Sequence, residues 1–407
     1  MSLTTTYSEK VIQIFSITLA SIWFAIAFII VAAPIMILLR YSNKPDPIVR
    51  KEYPSVAILR PLKGLDDDLE INLVSTFQFT YPNYHVIFSL KDQDDPAYDL
   101  VMSLILKYPQ VKCQVIIGIE NVGVNPKVNN LVKGYNSCTS DIIWILDSNV
   151  RMEPGSLGRA VDCLMDPTKN VGLVHHVPCG VNLSSMGSYL DGVFMASTHA
   201  RMYTFINSAG IASCLIGKSN LFRKADLDSL GGLAQFGKYL SEDNMIGVYL
   251  MSMGLSHQIA PDFAYQSMGP VTIPDFLQRR FRWIRVRKFT VTAATLFEPF
   301  TECLVLGFLS SFAMQHLFGI SKTNFLIFHW LLWLISDLTV STVSYFSRSG
   351  NIDYGDVGFF IIAWFIREII AFPVYMFAMA GQSITWRDQN YYLYADGTVE
   401  LVNKKLH

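Results

Sequence analysis

For 29 consecutive positions, Val11 to Leu39, the chain carries no charged residue. An apolar run of that length is best accommodated as an α-helix crossing a hydrocarbon core of roughly 30 Å, with some tilt. A cleaved leader is a poorer fit, because its apolar stretch spans only about 7–15 residues. Arg40, Lys44, Arg50 and Lys51 follow the run, whereas only Lys10 precedes it closely. That bias predicts a lumenal N-terminus and a cytosolic domain after the helix.

Three further apolar segments, Cys303–Ile320, Asn324–Phe346 and Val357–Ala380, lie near the other end. With 51% hydrophobic and 16% charged residues, the chain reads as an integral membrane protein with a sizeable soluble part. Its net charge of −1 provides no field to recruit nucleic acid. The six cysteines are scattered without a CxxC pair, which suits a reduced compartment. The expected organisation is a lumenal segment 1–10, a transmembrane helix 11–39 and a cytosolic domain 40–288 ending in a basic interfacial helix. A membrane region 289–382 with about three transmembrane helices and a tail 383–407 complete it. Phe289–Phe297 is apolar but interrupted by Glu298, Pro299 and Glu302, as an interfacial or re-entrant piece would be. Asp337, Arg367 and Glu368 fall inside predicted spans and need partners or an aqueous cavity. Four crossings would leave the tail lumenal, yet its terminal KKLH resembles a dilysine retrieval signal that works only in the cytosol. The two expectations conflict.

The cytosolic part reads as α/β. SVAILRP (Ser55–Pro61), HVIFSLKD (His85–Asp92), CQVIIGI (Cys113–Ile119), DIIWILDS (Asp141–Ser148) and VGLVHHVP (Val171–Pro178) are predicted strands. Their near-continuous apolar character suits parallel strands buried on both faces. Pro96 and Pro154, each preceded by an acid, mark first helical turns.

Asp92 and Asp147 sit at the carboxyl ends of two such strands, the edge where open α/β sheets bind ligands. In KDQDDPA (91–97), Asp92, Asp94 and Asp95 offer acceptors to a base or ribose, or else cap a helix. NPKVNNL (125–131) supplies Lys127, a point charge for a phosphate or simply a solvated lysine. In ILDSNV (145–150), a divalent cation at Asp147 shared with diphosphate oxygens would stabilise a departing nucleotide. YLSEDNM (239–245) pairs Glu242 with Asp243, so that one acid could act as a base with a raised pKa. Adjacent acids are equally ordinary at a helix start. FLQRRFRWIRVRK (276–288) places six cations in ten residues. As a helix it aligns Gln278 and Arg279 with Arg282, a fork suited to phosphate oxygens. Trp283 suits an interface, and Arg285, Arg287 and Lys288 read as a positive-inside collar.

Taken together, Asp92, Asp147, Asp243 and Arg279-Arg280-Phe281-Arg282-Trp283 resemble the three separated aspartates and Q/R-x-x-R-W signature of processive-type membrane glycosyltransferases. RPLKG (60–64), DQDDPA, NPKVNNL, GLVHHVP, GGLAQFGKYLSED (231–243), AWFIRE (363–368) and ITWRDQNYYLYADGT (384–398) more closely resemble the ceramide glucosyltransferase family. That resemblance covers nearly all of the chain after about Ser55. It implies a GT-A-type nucleotide-sugar domain with a mostly parallel sheet, on the cytosolic face of a Golgi or endoplasmic reticulum membrane. UDP-glucose would be the donor and ceramide the acceptor, with Mg or Mn as the divalent cation. The roles implied are Asp92 at the nucleotide, Asp147 at the diphosphate and its metal, and Asp243 as the base for the ceramide primary hydroxyl. Gln278, Arg279, Arg282 and Trp283 would serve the diphosphate and acceptor channel, and His199, in STHARMY, the acceptor. The chain departs from the DxD pattern in carrying Asn149 where many glycosyltransferases have a second aspartate, which leaves Asp147 as the lone carboxylate. A polysaccharide synthase shares the aspartates but needs a polymer tunnel, for which about four spans give little lining. A transporter or nucleotide sensor without turnover would leave the acids at the strand ends unexplained.

Overall fold

A computed structural model describes residues 2–210, 212–344, 354–386 and 389–402, with side chains from residue 8 onward and excluding 354–356. Lys404 and Lys405 of the expected retrieval signal lie outside the described residues.

The strands of the main sheet are β1 (Val56–Pro61), β2 (Tyr84–Leu90), β3 (Lys112–Ile117), β4 (Ile142–Leu146), β5 (Val150–Arg151), β6 (Val171–Leu183), β7 (Ser219–Arg223) and β8 (Ser256–Gly269). They bond in the order β3-β2-β1-β4-β7-β6-β8-β5. Four of the seven pairings are parallel, namely β1 with β2 and β4, β2 with β3, and β6 with β8. The other three, β4–β7, β6–β7 and β5–β8, are antiparallel. The fold is thus an α/β, mostly parallel sheet. β1 and β4 are apolar and buried on both faces. Val56, Ile58 and Trp144 pack in one core layer; Ala57, Leu59, Ile143 and Ile145 pack in the layer opposite.

β6 runs to Leu183, past the end expected at Pro178, because its pairing with β8 continues through register shifts. A proline signals a strand end, but here the shifted register accommodates it. β7 and β8 were not predicted: SNLFR is short, and HQIAPDF mixes polar residues with a proline.

The first helix runs Ser2–Ser42. Ser8–Ser42, Lys322–Ser344 and Val357–Ala380 are long and apolar enough to cross a membrane. The expected span at Cys303–Ile320 is instead a 16-residue helix, Cys303–Phe318. It follows Thr292–Thr301 with a bend of 67°, at the site of the interrupting Pro299 and Glu302. The cations after the first helix are bound to the α/β domain. Arg40 donates to Ile259 O at 2.5 Å, Lys44 lies 2.6 Å from Glu153, and Arg50 pairs with Asp162.

Asp337, Arg367 and Glu368 are all paired within the protein. Asp337 meets Arg201 and accepts from Trp364 Nε1 at 2.7 Å; Arg367 meets Glu368, with Glu302 at 3.4 Å and Thr198 at 3.1 Å. Because Arg201 and Thr198 belong to the α/β domain, these pairs tie the membrane helices to it.

Three short strands, β9 (Ser383–Trp386), β10 (Gln389–Leu393) and β11 (Val399–Leu401), form a second, antiparallel sheet. Its core, Ile384, Tyr391, Leu393 and Val399, packs on Val124 and Leu240 of the α/β domain and on Val286 and Phe289 of the basic helix. Residues 383–386 and 389–402 therefore lie on the α/β domain's side.

Candidate active site

Asn125 joins the two halves of the site. As N-cap of the helix Pro126–Ser137, its Oδ1 accepts from Lys127 N at 2.9 Å and Val128 N at 3.3 Å. Its Nδ2 donates at 2.8 Å both to Tyr239 O and to Glu242 Oε2, which opens the helix Glu242–Ser252. The Lys127 ammonium is thereby directed between Asp147 Oδ1 (2.8 Å) and Glu242 Oε1 (3.1 Å), and donates to Gly217 O at 3.0 Å.

Asp147 directly follows β4, and its other oxygen lies 3.1 Å from Lys218 Nζ. Lys218 also donates to Asn149 Oδ1 at 3.2 Å. Burial alone would raise the Asp147 pKa, but Lys127 and Lys218 outweigh it and hold the carboxylate well below its usual range. The side chains of Asp147, Lys127 and Lys218 stay 20%, 13% and 16% exposed, so the cluster remains open to solvent, unlike a closed core.

Asp243 faces the same point. A Cβ added at Gly217 would come within 3.0 Å of Lys127 Nζ and 3.2 Å of Asp243 Oδ2, so only a glycine fits between them without a shift. Glu242 is committed to Asn125 and Lys127. Burial, then the charge of Glu242, raise the Asp243 pKa to about 7 against the pull of Lys127. A base poised near neutrality is suited to taking a hydroxyl proton.

The basic segment is a helix, Ile273–Thr290, capped by Thr272 and Asp275. Arg279 pairs at 2.5 Å with Asp191, a residue 2% exposed whose pKa burial raises to about 6 even with Arg279 beside it. Arg282 stacks 5.8 Å over Trp386 of β9, and Trp283 packs 5.9 Å from Phe194. Gln278 is exposed. The three residues of the expected collar have protein partners. Arg285 donates to Ala378 O and Ser383 O, Lys288 to Met379 O, and Arg287 pairs with Glu298 at 2.7 Å. Carbonyls at a helix C-terminus attract cations, and here two side chains cap the helix Tyr354–Ala380.

Asp92 is exposed just beyond β2, two strand positions from Asp147, with β1 between. Within the same motif, Asp95 is committed to Gly64 N at 2.9 and 3.0 Å and to Ala97 N at 2.9 Å, which makes it a structural cap. His199 ends a π-helical turn, Met195–His199, and its ring lies 5.5 Å from Phe194 and 5.2 Å from Tyr203. Its Nδ1 is buried without a partner, and burial lowers its pKa to about 3.

Sequence reasoning missed Lys218, Asp191, Trp386 and Arg60. Arg60 is fully buried and donates to Val150 O and Ser148 O, so it holds the loop after Asp147. Asp191 left a signal as a lone acid within an apolar run, where an unpaired charge is costly, and Arg60 and Trp386 lie within RPLKG and ITWRDQNYYLYADGT, though neither stands out there as a site residue.

The cation expected at Asp147 meets an unsuitable donor set. Both Asp147 oxygens contact ammonium groups, and the Asn149 oxygen faces one of them. Among the described residues no group of three or more His, Cys, Asp or Glu side chains could hold a metal. A divalent ion about 4 Å from an ammonium is repelled by roughly 8 kcal/mol at an effective dielectric of about 20.

The glycosyl transferase family 21 model matches residues 18–399. The chain is 33% identical to a ceramide glucosyltransferase of Komagataella phaffii, over 94% of this chain and 91% of that one. It is 29% identical to one from Gibberella zeae (91% and 90% covered) and 29% identical to ceramide glucosyltransferase 3 of Caenorhabditis elegans (85% and 74%). Among solved structures, a mannosyltransferase from Pyrobaculum calidifontis in complex with GDP-mannose and Mn2+ matches with a TM-score of 0.47 at 17% identity, covering 80% of this chain and 97% of that one.

Proposed function

The chain belongs to glycosyl transferase family 21 and is a glycosyltransferase, and from that premise we propose that it moves glucose from UDP-glucose to the primary hydroxyl of ceramide, with inversion. The observation that carries the reading is the convergence of Asp147 and Asp243 on the Lys127 ammonium and Gly217. Asp243 takes the acceptor proton as the hydroxyl attacks the anomeric carbon from the face opposite UDP. Lys127, Arg279 and Arg282 absorb charge growing on the departing diphosphate, with Gln278 at the rim, in the manner of an oxyanion site. Asp92 holds the nucleoside end. Trp283 and His199 border the acceptor, whose tails stay in the bilayer. Glucosylceramide and UDP leave on the cytosolic face of a Golgi or endoplasmic reticulum membrane.

Membrane topology belongs to the same proposal. Cys179 Sγ contacts Ser344 O at 3.0 Å, so the helix Lys322–Ser344 ends on the catalytic side, as does the second sheet. Val357–Ala380, though long and apolar enough to cross, would then leave and return on that side; the crossings would be the first helix, the bent pair Thr292–Thr301 with Cys303–Phe318, and Lys322–Ser344, with residues 389–402 cytosolic. In sealed vesicles, protease should reach residues beyond 383 from outside; protection would overturn the count.

Purified protein with labelled UDP-sugars and ceramide should yield a single-sugar lipid, and do so only with UDP-glucose. A polymer would point instead to a polysaccharide synthase. Absence of acceptor-dependent UDP release would point to a transporter or sensor.

A further inference from the structure

We infer that Lys218 is a second diphosphate-binding catalytic residue, whose ammonium, seated between Asp147 and Asn149, takes the place a divalent cation fills beside two acids. This assignment rests on the nucleotide-sugar reading of the cleft.

Lys218 Nζ donates to Asp147 Oδ2 at 3.1 Å and Asn149 Oδ1 at 3.2 Å. An ammonium has three protons, so one remains for a ligand in the cleft that Lys218 borders. Its backbone is fixed by the sheet. Asp147 N donates to Lys218 O at 3.1 Å, and Lys218 N donates to Ile216 O at 2.8 Å, just before β7. The ammonium is therefore positioned by both ends of its residue.

Charge explains the pairing with asparagine. Two carboxylates and a divalent cation sum to zero, and so do one carboxylate and one ammonium. Asp147 with Lys218 is that second arrangement, and with Lys127 shared between Asp147 and Glu242 the two acids and two ammonium groups again sum to zero. A divalent ion added to this set would be two charges in excess. A neutral Asn149 is the residue such a site needs: its amide oxygen accepts from the ammonium without adding a charge.

During transfer, the bond from the anomeric carbon to the β-phosphate oxygen breaks and its electron pair stays on UDP. The acceptor oxygen bonds that carbon, and its proton passes to Asp243. Lys218 Nζ donates to the phosphate oxygen that gains the charge.

The test uses the full chain in lipid nanodiscs, with glucosylceramide formation and calorimetric UDP binding both measured in EDTA and in Mn2+. Wild type should keep its turnover in EDTA to within about threefold. Lys218→Met should lose about 10²-fold in kcat, the scale of removing one oxyanion donor, and bind UDP about tenfold more weakly. Lys218→Arg should recover most of both. Lys218→Met combined with Asn149→Asp should be inactive in EDTA and revived by Mn2+, because it restores the two-acid motif. Wild type losing about 10²-fold in EDTA, or Lys218→Met turning over and binding UDP normally, would overturn the assignment. Should Lys218→Met not fold, wild-type turnover in EDTA decides alone. UDP binding needs no acceptor: a binding defect in Lys218→Met with no glucosylceramide from wild type would sink the acceptor reading and spare Lys218.

Discussion

Buried charge occurs in two regions of this protein, and it is used differently in each. In the membrane-side cluster, Arg201 meets Asp337 and Arg367 meets Glu368, with all four residues no more than 4% exposed. In the cleft, Asp147, Lys127 and Lys218 keep 13–20% of their side chains open, and their ammonium groups are shared among several oxygens. A closed pair has little left to offer a ligand and mainly fixes how helices meet. An open cluster retains hydrogen-bonding capacity where a diphosphate would sit. The contrast shows that burial of charge marks function only where one side of the cluster remains accessible.

The sharpest way to break this contrast is to neutralise one acid in each region. Asp243→Asn should lower kcat by about 10²–10⁴-fold, the range for a lost general base, while UDP binding persists. Normal turnover in Asp243→Asn would remove the base assignment. Asp337→Ala should instead act on stability, costing roughly 3–5 kcal/mol because Arg201 is left buried without its partner. Thermal unfolding in detergent would register that loss, while turnover per folded molecule should stay near wild type. An active-site effect from Asp337→Ala without unfolding would erase the distinction.

A pH profile probes the cleft more gently. With Asp243 near 7, kcat/KM should fall about tenfold from its plateau by pH 6, as the base becomes protonated. The acidic limb should vanish in Asp243→Asn. The sign for stability is opposite. A carboxyl raised above its unfolded value favours the fold at low pH, and that contribution is lost as pH climbs from about 4 to about 7. The smallest expected effect concerns the rim. Trp386→Ala removes a stack over Arg282 worth about 0.5–1 kcal/mol, so KM for UDP-glucose should rise about two- to fivefold with kcat unchanged.

Legibility in the sequence followed the same division. β1, β2 and β4 were readable because strands buried on both faces must be apolar throughout, and the half-exposed edge strand β3 from its apolar run Val115–Ile117. β7 and β8 were hidden: short or polar stretches there become strands only by pairing with neighbours already in place. Asp147, Asp243 and Lys127 could be picked out from their motifs, but not their mutual contact. Lys218 gave no signal, since a lysine before a short strand is ordinary until its partner lies 71 residues away. The basic segment could be divided into a phosphate fork and a collar, but not assigned its partners: Arg279 and Arg282 reach Asp191 and Trp386, while Arg285 and Lys288 cap another helix.

By itself the sequence determined what is local and periodic: the apolar helix at the N-terminus, the doubly buried strands, and the cations and acids available for chemistry. Helix length against bilayer thickness and strand periodicity are properties of neighbouring residues, so they survive in one dimension. Tertiary structure alone decided which acid meets which cation, that the second sheet packs on the α/β domain, and that Asn149 accepts from an ammonium. Charges interact over a few ångströms, and only the folded chain sets those distances between residues as far apart in sequence as Arg201 and Asp337.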